Sequence, residues 1–261
     1  MLIRVRTGFA LSALLVAAAC GSPSPQPGSA PAATSEPAPT APPAAPAPLP
    51  GESTVTGTVK YQGTSEKPRV VRMDSDPLCM PEGPQTSEVL IVGPGNGLQN
   101  AFVYVKDGLG NEHKFAAPQT PVVLDQKGCR YHPHVFGIQV GQPVIILNSD
   151  PTLHNVHAVP KANAEFNFGQ AVKGMKTTRM FDKQEVMVPF RCDVHGWMSA
   201  YGGVLAHPYF AVSNADGSFE IKGLPAGTYT IEVWHERLGT QTTKVTVDGK
   251  SAATANVAFK G

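Results

Sequence analysis

No basic run occurs anywhere in this chain of 261 residues, and its formal net charge is only +1, which argues against nucleic acid as a partner. Apolar runs are short as well. Gly8 to Ala19 is apolar but far too short to cross a bilayer, and nothing after it is longer. No segment sustains a helical period, so a helical bundle is not expected. Cysteine is scarce: Cys20, Cys79, Cys129 and Cys192 are the full set. What the chain has instead is short alternating runs punctuated by Gly, Pro, Asn and Asp, the pattern of an all-β protein.

The first residues read as an export signal. Arg4 and Arg6 precede the apolar run, which ends Ala17-Ala18-Ala19-Cys20-Gly21. This resembles the lipobox of bacterial lipoproteins, although Ala17 stands where Leu, Val or Ile is usual. The resemblance implies a signal peptide over 1–19, lipid on Cys20 and attachment to a membrane from the periplasmic or cell-surface side. Ser22 to Pro50 follows, with 11 prolines and Glu36 as its one charge. Such a segment has no large side chains to bury, so 20–50 is expected to be an extended spacer with a limiting reach of roughly 90 Å.

Strands are expected over Thr54–Tyr61, Ala101–Val105, Gly137–Val140, Pro143–Leu147 and Glu185–Pro189, with a turn at Asp216-Gly217. Asn214 to Val233 resembles the second half of a carboxypeptidase-regulatory, transthyretin-like sandwich. Val55 to Gly63, followed by Leu98 to Val105, resembles its first half. The intervening residues hold every metal-type motif, so 51–110 and 207–261 are expected to form one discontinuous sandwich with a second domain, 111–206, inserted. Two consecutive domains are the alternative.

Cys192-Asp-Val-His195-Gly-Trp-Met198 sets a thiolate, an imidazole and a thioether within one turn, and sulfur with imidazole selects soft or borderline metals. A second histidine is available in Asn148-Ser-Asp-Pro-Thr-Leu-His154-Asn-Val-His157. Together with Gly141 to Asn148 and Tyr131-His-Pro133, these motifs resemble the cupredoxins, and the loop length is most like the amicyanins. The resemblance implies a Greek-key cupredoxin sandwich and one mononuclear Cu(I)/Cu(II) site of the blue type, ligated by His154, Cys192, His195 and Met198. His157 is then not a ligand, Asn155 braces the ligand loop, and Phe190 packs beneath the site. Asp193 and Gly196 depart from residues common in such loops. With Cys20 carrying lipid and Cys192 metal, Cys79 and Cys129 remain as a pair for a structural disulfide, two buried free thiols being the alternative.

His132-Pro-His134 could be a second metal cluster, but strand edge is the simpler reading. Trp234-His235-Glu236 reads as half-buried packing. A copper ion with a full ligand set favours one-electron exchange, and beyond His132-Pro-His134 the additional His-x-His pairs and the His-Cys-His element of multicopper oxidases are lacking. The chain is therefore read as a non-enzymatic carrier between redox proteins, a cytochrome or another electron carrier. Copper delivery or sensing, or an envelope carbohydrate- or protein-binding module, are the alternatives. In cupredoxins the ring edge of the histidine corresponding to His195 reaches the surface, which would make Trp197 a docking residue for the partner.

Overall fold

The computed structural model describes residues 51, 53–64, 66–80, 85–110 and 113–261. The signal segment, Cys20 and the spacer lie outside the described residues. Among the described residues all regular structure is strand, apart from two 3-10 turns at Pro77–Cys79 and Pro94–Asn96. The protein is all-β, built of two sandwiches.

In the first sandwich Ser53–Tyr61 lies between Ser218–Leu224 and the terminal strands Ala253–Thr254 and Val257–Phe259. Facing it is a sheet in the order Phe210–Val212, Phe102–Asp107, Gly227–His235, Gly239–Val247. Alternation explains the packing: Val55 and Val59 point inward with Ile221, Val103, Ile231 and Val233, while the intervening threonines face out. Gly57 is required by close approach, since a Cβ there would lie 1.9 Å from the Ala255 carbonyl oxygen. The expected turn at Asp216-Gly217 is present, with Gly217 at φ 81° and the Ser218 N–H donating to Asp216 Oδ1 at 2.9 Å.

Phe102–Asp107 and Phe210–Val212 pair directly, Phe102 opposite Val212, and the strands that lie between them in the chain form the second sandwich. One of its sheets runs Phe166–Gln170, His154–Ala158, Glu185–Arg191, Ser199–Leu205, Val135–Gln139. The other runs Lys176–Arg179, Val144–Asn148, Val122–Gln126, Tyr131–His132. Their core holds Leu124, Ile138, Ile146, Val156, Val188 and Phe190.

Phe102, Tyr104, Val135 and Leu205 form a third apolar cluster where the sandwiches meet. Glycines make room for it: a Cβ on Gly203 would lie 2.3 Å from Phe102 Cζ, and one on Gly137 2.3 Å from Phe210 Cε2. The stretch around Val70–Val71 and Gln85–Thr86 differs from the expected division of the chain. Val71, Met73 and Cys79 pack into the second sandwich's core, not the first's, because the Cys79–Cys129 bridge holds that stretch there.

Candidate metal centre

The centre is assembled where three strand ends meet. His154 opens the strand His154–Ala158, and Cys192 directly follows Glu185–Arg191. The turn after Cys192 is closed by the Met198 N–H donating to the His195 carbonyl at 2.9 Å and the Cys192 N–H donating to the Met198 carbonyl at 3.2 Å. That turn returns the chain into Ser199–Leu205 and carries His195 and Met198 with it. Donor atoms of His154, Cys192 and His195 lie within 4.8 Å of one another. All four expected ligands are buried, His195 being 2% and Cys192 3% exposed.

The inner nitrogens face each other, His154 Nδ1 3.0 Å from His195 Nδ1, with Cys192 Sγ 3.9 Å from the latter. Each outer nitrogen meets a carboxylate: His154 Nε2 donates to Asp150 Oδ2 at 2.9 Å, and His195 Nε2 to Asp76 Oδ2 at 3.0 Å. Asp150 also accepts the backbone N–H groups of Gly128 and Cys129, both at 2.8 Å. Asn148 holds the loop between, its Oδ1 accepting the Asp150 N–H and its Nδ2 donating to the Thr152 and Gln170 carbonyls, all at 2.9 Å.

Electrostatics follow from this wiring. Burial disfavours the His154 cation, but the Asp150 carboxylate and the Cys192 sulfur outweigh it and push the pKa up to about 9. Burial likewise opposes ionisation of the Cys192 thiol, yet the hydrogen bonds from His154 and from the Asn155, His195 and Val194 backbone leave its pKa lowered. The two inward imidazole nitrogens and the Cys192 sulfur thus converge on one point, where a soft or borderline cation could be held. Two imidazoles, a thiolate and a buried thioether are a fitting donor set for copper.

Asn155 lies beside Cys192. Its N–H donates to Cys192 Sγ at 3.4 Å and its Oδ1 accepts the Asp193 N–H at 2.9 Å. Phe190 lies one strand turn before the cysteine, within an aromatic group with Phe136, Phe166 and Phe181. His157 turns away to Glu165 at 2.6 Å and Asp193 at 3.0 Å. His132 and His134 do not converge. His132 Nε2 is 3.1 Å from the Lys127 carbonyl, while His134 contacts Glu236 and the Ser199 carbonyl. Cys79 and Cys129 are bonded, with a Cα separation of 5.4 Å.

One expectation is corrected. His195 does not present its ring edge at the surface, because Asp76, Cys79 and Trp197 cover it. Cys79 Sγ is 3.6 Å from His195 Nε2, and the Trp197 ring centroid is 5.0 Å from that of His195. Trp197 is half-buried, its indole N–H spent on the Cys129 carbonyl at 3.0 Å, and its ring forms a wall of the site beside His195. Sequence reading missed Asp76, Asp150 and Thr152. Asp150 sits within the motif leading to His154; the one pointer to Asp76 was its place three residues before Cys79.

An all-β, two-sandwich chain with a buried cluster of His154, Cys192 and His195 is similar in part to known proteins. Residues 204–260 match the model of the carboxypeptidase regulatory-like domain. No curated protein matches the chain in sequence. Similar solved structures include a Cu-containing nitrite reductase from Thermus scotoductus, 20% identical with a TM-score of 0.31, over 38% of this chain. This chain covers only 25% of that reductase. A Cu(I) amicyanin variant is 20% identical with a TM-score of 0.29, over 39% of this chain and 97% of its own. A purple cupredoxin from Nitrosopumilus maritimus is 19% identical with a TM-score of 0.28, over 33% of this chain and 98% of its own.

Proposed function

We propose that the protein carries single electrons through one copper ion held by His154, Cys192, His195 and Met198 in an inserted domain, 111–206. The observation that supports this most is the convergence of two inward imidazole nitrogens on the Cys192 sulfur, each imidazole locked from behind by a carboxylate. Copper bound there would supply a one-electron Cu(I)/Cu(II) couple. Burial of the four side chains supports electron exchange rather than turnover of a substrate. Burial also counts against copper delivery, which needs exchangeable ligands. In this reading the chain is not an enzyme. It is exported, anchored through lipid on Cys20 at the periplasmic or outer surface of a membrane, and it serves a cytochrome or another redox protein within reach of its spacer.

The test is a visible spectrum and redox titration of the exported protein loaded with copper. An intense thiolate-to-copper band that bleaches and returns reversibly with one electron is expected. Copper taken up without that band, or not taken up at all, would overturn the proposal.

A further inference from the structure

The outer face of His195 is occupied by Asp76, from a stretch that belongs to neither ligand motif and lies 119 residues away in sequence. An ionised carboxylate only accepts hydrogen bonds, so Asp76 Oδ2 at 3.0 Å requires the proton on His195 Nε2 and leaves the Nδ1 lone pair pointing inward. Cys79 Sγ, at 3.6 Å, is a bridged sulfur and the weaker acceptor.

Asp76 is itself held at both oxygens. Oδ1 accepts the Leu78 N–H at 2.9 Å, capping the turn Pro77–Cys79, and Oδ2 accepts the Thr152 hydroxyl at 3.0 Å. The turn is pinned by the bond from Cys79 to Cys129, whose N–H is one of the donors to Asp150 and whose carbonyl accepts the Trp197 indole N–H. One covalent bridge therefore joins the supports of the two carboxylates that back the two histidines.

We infer that Asp76 is a positioning residue of the metal centre: it fixes the tautomer and orientation of His195, and its negative charge, set directly behind that ring, favours the oxidised ion. This rests on the copper reading above. A carboxylate behind a ligating imidazole raises the ligand's basicity, and losing such a partner typically costs about 10–100-fold in metal affinity. A negative charge beside the centre stabilises Cu(II) over Cu(I), so it lowers the reduction potential.

Asp76→Asn keeps the shape and an acceptor oxygen but loses the charge, whereas Asp76→Ala loses both. Each is compared with the full-length exported protein in three ways: nitrogen NMR of His195 without metal, Cu(II) affinity, and reduction potential with copper bound. The unaltered protein is expected to show the Nε2–H tautomer before any metal is added. Asp76→Ala should lose that preference and bind Cu(II) at least tenfold more weakly. Asp76→Asn should favour Cu(I) by at least a further tenfold, an upward shift of about 59 mV. Variants that melt lower yet keep tautomer, affinity and potential would reduce Asp76 to a structural role and overturn the inference. Failure of the unaltered protein to form a thiolate-coloured copper complex overturns the copper reading instead, and the metal-free tautomer still decides whether Asp76 orients His195.

Discussion

His154 and His195 turn their Nδ1 atoms toward each other at 3.0 Å from opposite ends of a 41-residue separation, with Cys192 Sγ beside them. His157, on the same strand as His154, is engaged with Glu165 and Asp193 instead. Cys192→Ser should therefore abolish the thiolate-to-copper band entirely, and His154→Ala should bleach it. His157→Ala should leave it nearly intact, since that ring's carboxylate partners are exposed and need no compensation. A bleached His157→Ala with a coloured His154→Ala would reverse the ligand assignment.

The bridge between Cys79 and Cys129 closes 50 residues of chain. A loop of that length is worth about 4 kcal/mol through the entropy it removes from the unfolded chain. Non-reduced peptide mapping of exported protein should recover the two as one linked peptide. The Cys79→Ser/Cys129→Ser variant should unfold at distinctly lower denaturant, and alkylation of both thiols in untreated protein would count against the bridge.

Trp197 has a structural part to play. Trp197→Ala removes the wall against His195 and the bond to the Cys129 carbonyl. A cost of about 2 kcal/mol is expected, below the ~3–5 kcal/mol of a fully buried aromatic, together with an altered copper spectrum. An unchanged spectrum and melting point with slowed electron exchange would return Trp197 to a docking role.

His134 and Glu236 meet where the sandwiches join, both largely buried. Burial lowers the His134 pKa, but the hydrogen bond to Glu236 and the charges of Glu236 and Glu88 outweigh it, so the pKa is raised. The stability this adds is complete below the unfolded-state value of about 6.5 and is lost as pH rises through the higher folded value. His134→Ala strands Glu236 and should cost about 3 kcal/mol near pH 6. His134→Gln should remove the alkaline part of the pH dependence; a variant that keeps the wild-type slope above neutrality would contradict this.

His207 and His235 work in the opposite sense. Burial pushes both down to about 4, and each Nδ1 accepts a backbone N–H, from Tyr209 at 3.2 Å and Arg237 at 3.3 Å. Their contribution is complete above about 6.5 and is lost as pH falls toward about 4, at most roughly 3 kcal/mol each. His207→Asn and His235→Asn keep an acceptor oxygen without the titration. The double variant should lose less stability between pH 6.5 and 4 than the natural protein, as chemical denaturation at each pH can show.

Some of this was legible in the residues alone. Alternation with period two is a local property, so Val55, Val59, Val144 and Ile146 announce inward faces before any partner strand is known. Cys-x-x-His-x-x-Met is equally local, because one short turn must bring its three side chains to the same end of the sandwich. Other features depend on contacts between distant segments. Beyond its place three residues before Cys79, no local feature marks Asp76 as the partner of His195, because that contact exists only once Cys79 is bonded to Cys129 and Thr152 closes on the same carboxylate. Gly203 reads as a weak point in a strand until Phe102 is seen against it, and His195 reads as a surface histidine until the Pro77–Cys79 turn covers it. Period and spacing determined the strands and the donor types. Long-range packing and one covalent bridge decided which carboxylates stand behind the histidines and what covers them, because close packing selects its partners by shape and not by position in the chain.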